Sequence, residues 1–159
     1  MEKRTREYLQ VSQQDSDRVT GLTIPPRLSD GIDSFYETFA LKGLRLEQFL
    51  PGYICYSFIV PPRLTDRNGN LAVGAIATIV DNIGASVLYR KDGPKHVSVD
   101  ISISYLSTAK LNDELEISTR LLGTKGPYKG TLVVLKNKLT REIIAEGRLS
   151  VFSPATSKI

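Results

Sequence analysis

The sequence predicts an α+β fold, one antiparallel sheet wrapped around one long central helix. Three observations carry this. Residues 74–89 are apolar on nearly every side, as a helix surrounded by protein would be. Val97, Val99, Ile101, Ile103 and Tyr105 alternate with Ser98, Asp100, Ser102 and Ser104, the period of a half-buried strand. Four strands follow the helix with no βαβ alternation, which argues against a doubly wound parallel sheet.

The elements follow in order. Residues 1–18 carry four basic and four acidic groups and few large apolar side chains, so they read as a frayed tail or short helix outside the core. Ile24-Pro25-Pro26 closes a tail taken as 1–28, and the domain spans 29–153. Cap-type residues Ser29-Asp30-Gly31-Ile32-Asp33 precede a short helix over 33–40, with Phe35, Tyr36 and Phe39 on one side. Strands over 45–49 and 53–60 are joined by the turn Pro51-Gly52. Residues 63–70 are a polar loop. After the central helix and the Asp92-Gly93-Pro94 turn come strands over 97–105, 114–122, 131–137 and 142–152. Residues 123–130, rich in Gly, Pro and Lys, read as a loop.

Composition bounds the chemistry. The chain has 159 residues, 41% of them hydrophobic and 24% charged, as in one ordinary globular domain. One cysteine, Cys55, excludes an internal disulfide and a multi-cysteine zinc site. One histidine, His96, excludes a site needing two imidazoles in one chain; its place near Ser98 leaves a part in the site open, but a lone His before a strand is more often a surface residue. No apolar run reaches the roughly eighteen residues that span a bilayer, and the charged N-terminus is no signal peptide. The last residues, Ser157-Lys158-Ile159, are close to the S-K-L peroxisomal address, against a cytosolic alternative.

The net charge is 21 − 17 = +4. Residues 90–140 hold nine basic and five acidic groups, which accounts for all of it, and 117–141 hold six basic groups and no acid. Either a solvated sheet face or a landing surface for a phosphorylated ligand fits this. Without interleaved aromatics it does not argue for nucleic acid.

Asp81 is the sole charged side chain between Arg67 and Arg90, and it falls mid-helix. A buried carboxylate needs hydrogen-bond partners or a chemical task. Partners on a neighbouring strand or subunit are one reading; a general base or nucleophile is the other. Asn70-Leu71-Ala72-Val73-Gly74 opens the helix, where free N–H groups attract an oxyanion. Gly74 and Asp81 stand seven residues apart, about 10 Å along the axis. One helix cannot bring both to one reacting carbon, which hints at a site shared across a dimer.

The run from Asn70 to Asp81 (Asn-Leu-Ala-Val-Gly-Ala-Ile-Ala-Thr-Ile-Val-Asp) resembles the N-L-H-G-G-x-x-A-T-L-x-D signature of hotdog-fold acyl-CoA thioesterases. Val97-Ser98-Val99-Asp100-Ile101-Ser102-Ile103-Ser104-Tyr105-Leu106 resembles their next strand, and Ala145-Glu146-Gly147-Arg148 their final A-x-G-R. The likeness spans residues 35–152 and points to the phenylacetyl-CoA and medium-to-long-chain branch, including plant members. It implies hydrolysis of acyl-CoA to free acid and CoA, by a homodimer usually doubled to a homotetramer.

The resemblance also assigns residues. Asp81 matches the catalytic carboxylate, the Val73 N–H beside Gly74 the oxyanion donor, and Ser98 a helper serine. Asp66, Asn68, Asn70, Asp100 and Tyr105 fall on substrate-side positions. The CoA portion would lie along 105–110 and 123–128, using Lys110, Lys125, Gly126 and Tyr128. No metal or organic cofactor is implied. Two departures stand out. Ala72 replaces the family His, and the family Asn falls on Asp66, or on Asn68 after a small slip. The chain is therefore expected to be a slow thioesterase or, as the alternative, an acyl-CoA binder without turnover. Hydration or dehydration of an acyl-CoA is disfavoured, because no His with an acidic partner is evident.

Overall fold

A computed structural model describes residues 2–21, 35–89 and 96–153. The proline pair at 25–26, the cap run 29–33, the 92–94 turn, Arg90, Lys91, Lys95 and the C-terminal tripeptide lie outside the described residues. The chain divides into two units, Met1–Phe35 and Tyr36–Ile159.

The first unit holds two helices rather than one, α1 (Glu2–Leu9) and α2 (Gln13–Thr20). Ser12 caps α2 by accepting the Asp15 N–H at 3.1 Å, and no residue of α2 is buried.

Helix α3 (Phe35–Leu41) starts at the division, and the second unit carries the rest of it with β1 (Arg45–Leu50), β2 (Tyr53–Ile59), α4 (Val73–Ser86), β3 (Val97–Tyr105), β4 (Glu114–Lys125), β5 (Tyr128–Asn137) and β6 (Ile143–Phe152). The strands form one sheet in the order β1-β2-β4-β5-β6-β3, antiparallel throughout. Helix α4 packs on β3, β4, β5 and β6. This is the helix-and-sheet arrangement of the hotdog fold.

Three expectations are corrected. Residues 123–130 are not a loop: β4 and β5 run on as one long hairpin whose turn is Gly126-Pro127, between paired Lys125 and Tyr128. Gly126 takes φ +58°, the left-handed conformation that favours glycine at such a turn. Helix α4 is not surrounded. Ala75, Ile76, Ile79, Val80, Ile83 and Gly84 form its buried stripe, while Gly74 is exposed and Thr78, Asp81, Asn82 and Ser86 are half-buried. Nor is β3 half-buried: eight of its nine residues are exposed, because it is an edge strand paired with β6 alone. An open helix face and an open apolar strand edge thus lie side by side.

The buried stripe meets the sheet at very short range. A Cβ placed on Gly147 of β6 would lie 2.4 Å from Val80 Cγ1, and one on Gly84 would lie 2.8 Å from Leu149 Cδ2. Phe58, Leu115, Ile117, Val133, Leu135 and Ile144 complete the core beneath.

Candidate active site

Asp81 projects from the open face of α4 and is half-buried. Ser98 Oγ donates to its Oδ1 at 2.6 Å. Local register explains how a strand serine reaches the helix. Simple alternation would place Ser98 with Asp100, Ser102 and Ser104, whose partners Ser150, Arg148 and Glu146 lie on the outer face. A bulge at Val99 intervenes, between the pairs Ser98–Val151 and Asp100–Ser150. Ser98 therefore shares the helix-side face with Ile101 and Ile103, whose partners are Leu149 and Gly147. Asp100, by the same register, points away from Asp81 and does not join the site within this chain.

The start of α4 is open. Ala72 is the N-cap and offers no side-chain cap, and Val73 and Gly74 are exposed. The first N–H groups of a helix have no intrahelical acceptor. The helix start is fixed from outside: Ala72 N–H bonds Leu64 O at 2.8 Å and Leu71 N–H bonds Ala109 O at 2.7 Å.

The preceding loop has its own use for Asp66. Its Oδ1 accepts the N–H groups of Asn68 at 2.8 Å and Asn70 at 2.9 Å. Hydrogen bonding from the Asn70 amide, then the Asn68 amide, holds this carboxyl below its usual range. Asp66 is thus committed to the turn, whereas Asn68 is exposed at its tip and Asn70 is bridged to Lys110.

Lys110 and Lys125 are not neighbours. They flank opposite ends of β4, whose eleven steps from Glu114 to Lys125 span about 36 Å. Lys125, Gly126 and Tyr128 sit at the sheet end that carries Ser98, since Tyr128 and Lys129 pair with Phe152 and Val151. Tyr105 and Lys110 belong to the end that carries the start of α4. Much of the basic stretch is neutralised. Glu116 meets Arg141 at 3.1 Å and Lys136 at 3.6 Å, and Lys138 meets Glu114 at 2.7 Å. Burial pushes the Glu116 carboxyl up, but Arg141 and Lys136 outweigh it and hold it below its usual value. These pairs favour the solvated-face reading for residues 136–141, which the sequence could not pair with Glu114 and Glu116.

His96 is not a surface residue. It is half-buried, with Nδ1 2.6 Å from Ser153 Oγ and Nε2 3.0 Å from Leu88 O. Sequence reading also missed Tyr36, whose hydroxyl lies 3.0 Å from Thr78 Oγ1 on the open face of α4. No residue pattern signals either contact, because both join distant segments. Among the described residues, no group of three or more His, Cys, Asp or Glu side chains could hold a metal ion.

Comparison with known proteins decides the family. Residues 68–126 match the model of the thioesterase superfamily. Human acyl-coenzyme A thioesterase 13 is 37% identical over 109 residues, covering 68% of this chain and 78% of that protein. The chain belongs to the thioesterase superfamily. The zebra fish thioesterase superfamily member 2 has a similar structure, with TM-score 0.69 and 29% identity over 79% of this chain and 88% of that one. A hypothetical thioesterase from Streptococcus pneumoniae, solved with coenzyme A, shares the fold at TM-score 0.66 and 21% identity over 72% of this chain and 88% of that one. The matched region of this thioesterase-superfamily chain contains Asp81, Val73 and Ser98 together.

Proposed function

We propose that this chain hydrolyses acyl-CoA thioesters to a free carboxylic acid and CoA, with Asp81 as general base. The carrying observation is the Asp81 carboxylate on the open face of α4, fixed through one oxygen by Ser98. Its second oxygen takes a proton from water as that water adds to the thioester carbonyl carbon. The carbonyl electrons move to oxygen, and a helix-start N–H stabilises that oxyanion. Collapse breaks the C–S bond, and the CoA thiolate takes the proton back from Asp81. Water is the sole co-reactant. The names of the curated relatives, and the fold neighbour solved with coenzyme A, support the same substrate class.

The minimal unit in this reading is a homodimer formed along β3. Val97, Val99, Ile101 and Tyr105 are 41–57% exposed on that unpaired edge. A two-fold axis across β3 sets the Val97 end of one copy beside the Tyr105 end of the other. The Val97 end carries Ser98, Asp81 and Lys125. The Tyr105 end leads to Lys110 and, through the Asn70–Lys110 bridge, to the start of α4. One arrangement thus joins both pairs that a single chain holds apart, Asp81 with the partner's Val73 and Lys125 with the partner's Lys110. Doubling to a homotetramer extends the proposal, and its check is the mass in solution.

Mixing Asp81→Asn with Val73→Pro chains tests the shared site. Each homodimer should be inactive, and randomly mixed dimers should regain about a quarter of wild-type turnover, since half the dimers hold one intact site. Failure of complementation by two folded, mixing variants overturns the cross-subunit site. Absence of CoA release by wild type on a chain-length panel overturns the hydrolase reading.

A second reading, acyl-CoA binding without turnover, is favoured by one observation: Ala72 places no polar side chain at the mouth of α4. Tight binding without CoA release would establish it, and Ala72→His should then raise activity. For localisation, the terminal tripeptide supports the peroxisome, with the cytosol as alternative. A fluorescent fusion that stays cytosolic with the terminus free would decide for the latter. No helix among the described residues is long and apolar enough to cross a membrane.

A further inference from the structure

We propose that His96 is a positioning residue for the Asp81–Ser98 pair. It ties the helix that carries the carboxylate to the strand end that carries the serine, and the proposal rests on the hydrolase reading above. His96 stands immediately before β3. Its Nε2 lies 3.0 Å from the carbonyl oxygen of Leu88, just past α4, and its Nδ1 2.6 Å from Ser153 Oγ, just past β6. A carbonyl oxygen only accepts, so Nε2 carries a proton. Lys129 Nζ donates to Ser153 Oγ at 3.1 Å, and Ser153 is 6% exposed. Ser153 can then turn its own proton to Nδ1. Donors and acceptors match along the whole relay from Lys129 through Ser153 and His96 to Leu88.

The strand geometry says why a tie matters here. The bulge at Val99 interrupts the ladder, leaving Val97 and Ser98 with two register pairs beyond the break, to Phe152 and Val151. The other side of β3 is unpaired in this chain. Two residues beyond a bulge at the end of a strand are held by few ladder bonds of their own chain, whether or not a partner's β3 lies along the other side. His96 pins the residue next to them. Its second anchor, Leu88, lies two residues beyond the end of α4 and seven residues from Asp81. One ring therefore spans the two elements whose side chains meet at 2.6 Å. Both ring nitrogens are engaged away from Asp81, so His96 acts through the strand end and not on the reacting atoms.

A double-mutant cycle tests this on the full-length protein. CoA release from an acyl-CoA panel is measured for wild type, His96→Ala, Ser98→Ala and the double variant. His96→Ala should lower kcat about tenfold with KM within about twofold, as expected for a misplaced group. It should have no further effect once Ser98 is Ala. His96→Gln, whose amide can still donate to Leu88, should recover part of the loss. Additive losses, or wild-type kcat in His96→Ala, overturn the proposal. Should His96→Ala fail to fold, Ser153→Ala takes its place in the cycle under the same criterion. Amide hydrogen exchange at Val97, Ser98 and Val99 gives a readout independent of turnover. Faster exchange confined to these residues in His96→Ala or Ser153→Ala supports the tie, and unchanged exchange overturns it even if wild type hydrolyses nothing. Inactive wild type with the local exchange response would therefore remove the hydrolase reading and leave the tie standing.

Discussion

Ser98 Oγ stands 2.6 Å from Asp81 Oδ1, joining an edge strand to the open face of the helix across seventeen positions of chain. The bond occupies one carboxylate oxygen and leaves the other for the water of the proposed reaction. Asp81→Asn keeps shape and removes the base, so hydrolysis should fall by about 10²–10⁴-fold. Ser98→Ala leaves the base but frees its orientation, and should cost about 10–100-fold, the scale of a lost orienting partner. Steady-state CoA release on both variants checks the order. A Ser98→Ala loss equal to that of Asp81→Asn would mean that the serine does more than orient.

The helix-start donor can be removed with little disturbance. Val73 is the first residue of α4, where proline is well tolerated because its N–H has no intrahelical partner. The preceding Ala72 has φ −63° and ψ 141°, the extended conformation that a residue before proline favours. Val73→Pro should therefore fold while deleting the proposed oxyanion donor, and kcat should drop about 10²–10³-fold. An active, stable Val73→Pro protein would move the oxyanion site elsewhere.

The fold was legible because its signals are local. The period of two over 97–105 and the apolar run after Val73 each fit within one element. The proposed site was half legible. Asp81 stands out as a charge in an apolar run, and Val73 follows from the helix start. Ser98 reaches Asp81 only because Val99 is bulged, and nothing in Val97-Ser98-Val99-Asp100 marks the bulge. The hairpin over 123–130 was hidden by its glycines, which weaken strand preference but not the backbone ladder of a long two-stranded arm. His96 looked like a surface residue because Ser153 and Leu88 are brought to it by the sheet, not by sequence proximity.

Acid should loosen the loop before α4. The Asp66 carboxyl is held below its usual value by the Asn70 and Asn68 amides. A depressed carboxyl contributes stability above its unfolded pKa, about 4, and loses it as pH falls through the lower folded value. Protection of the Asn68 and Asn70 amides, measured relative to the intrinsic exchange rate at each pH, should fall below about pH 4, ahead of the core strands. Asp66→Ala should show the lowered protection already at neutral pH. No loss of protection in either case would mean that the turn is held by the Gly69 and Asn70 backbone bonds alone.

Neutralising the two lysines should weaken CoA binding. Lys110→Met and Lys125→Met each remove a charge that could meet phosphate, from ends of β4 about 36 Å apart. If a partner joins those ends, both losses appear in one binding isotherm, and both shrink at high salt. Mixed dimers of the two variants should then show two site classes, one near wild type and one doubly weakened. Unchanged affinity in both single variants would return these charges to a solvated face.

The same substitution should have opposite consequences at two glycines, Gly147 and Gly74. At Gly147 a Cβ would stand 2.4 Å from Val80 Cγ1 and 2.9 Å from Cγ2. Val80 is β-branched within a helix, so one side-chain rotamer is strongly preferred and it has little room to turn away. Helix α4 would have to lift from β6. Gly147→Ala should cost about 1–3 kcal/mol, the range of an overpacked core, or roughly 2–12 °C in Tm for a chain this long. At Gly74 nothing lies within 4 Å of the added atom in the single chain, and the backbone is helical. Gly74→Ala should therefore hold or raise Tm, since alanine restricts the unfolded chain more than glycine. Its effect should fall on KM, because the added methyl stands at the helix start proposed to receive the thioester carbonyl. Thermal melts and acyl-CoA kinetics on the two variants separate these outcomes. A destabilised Gly74→Ala would show that another surface packs against the helix start in the assembled protein.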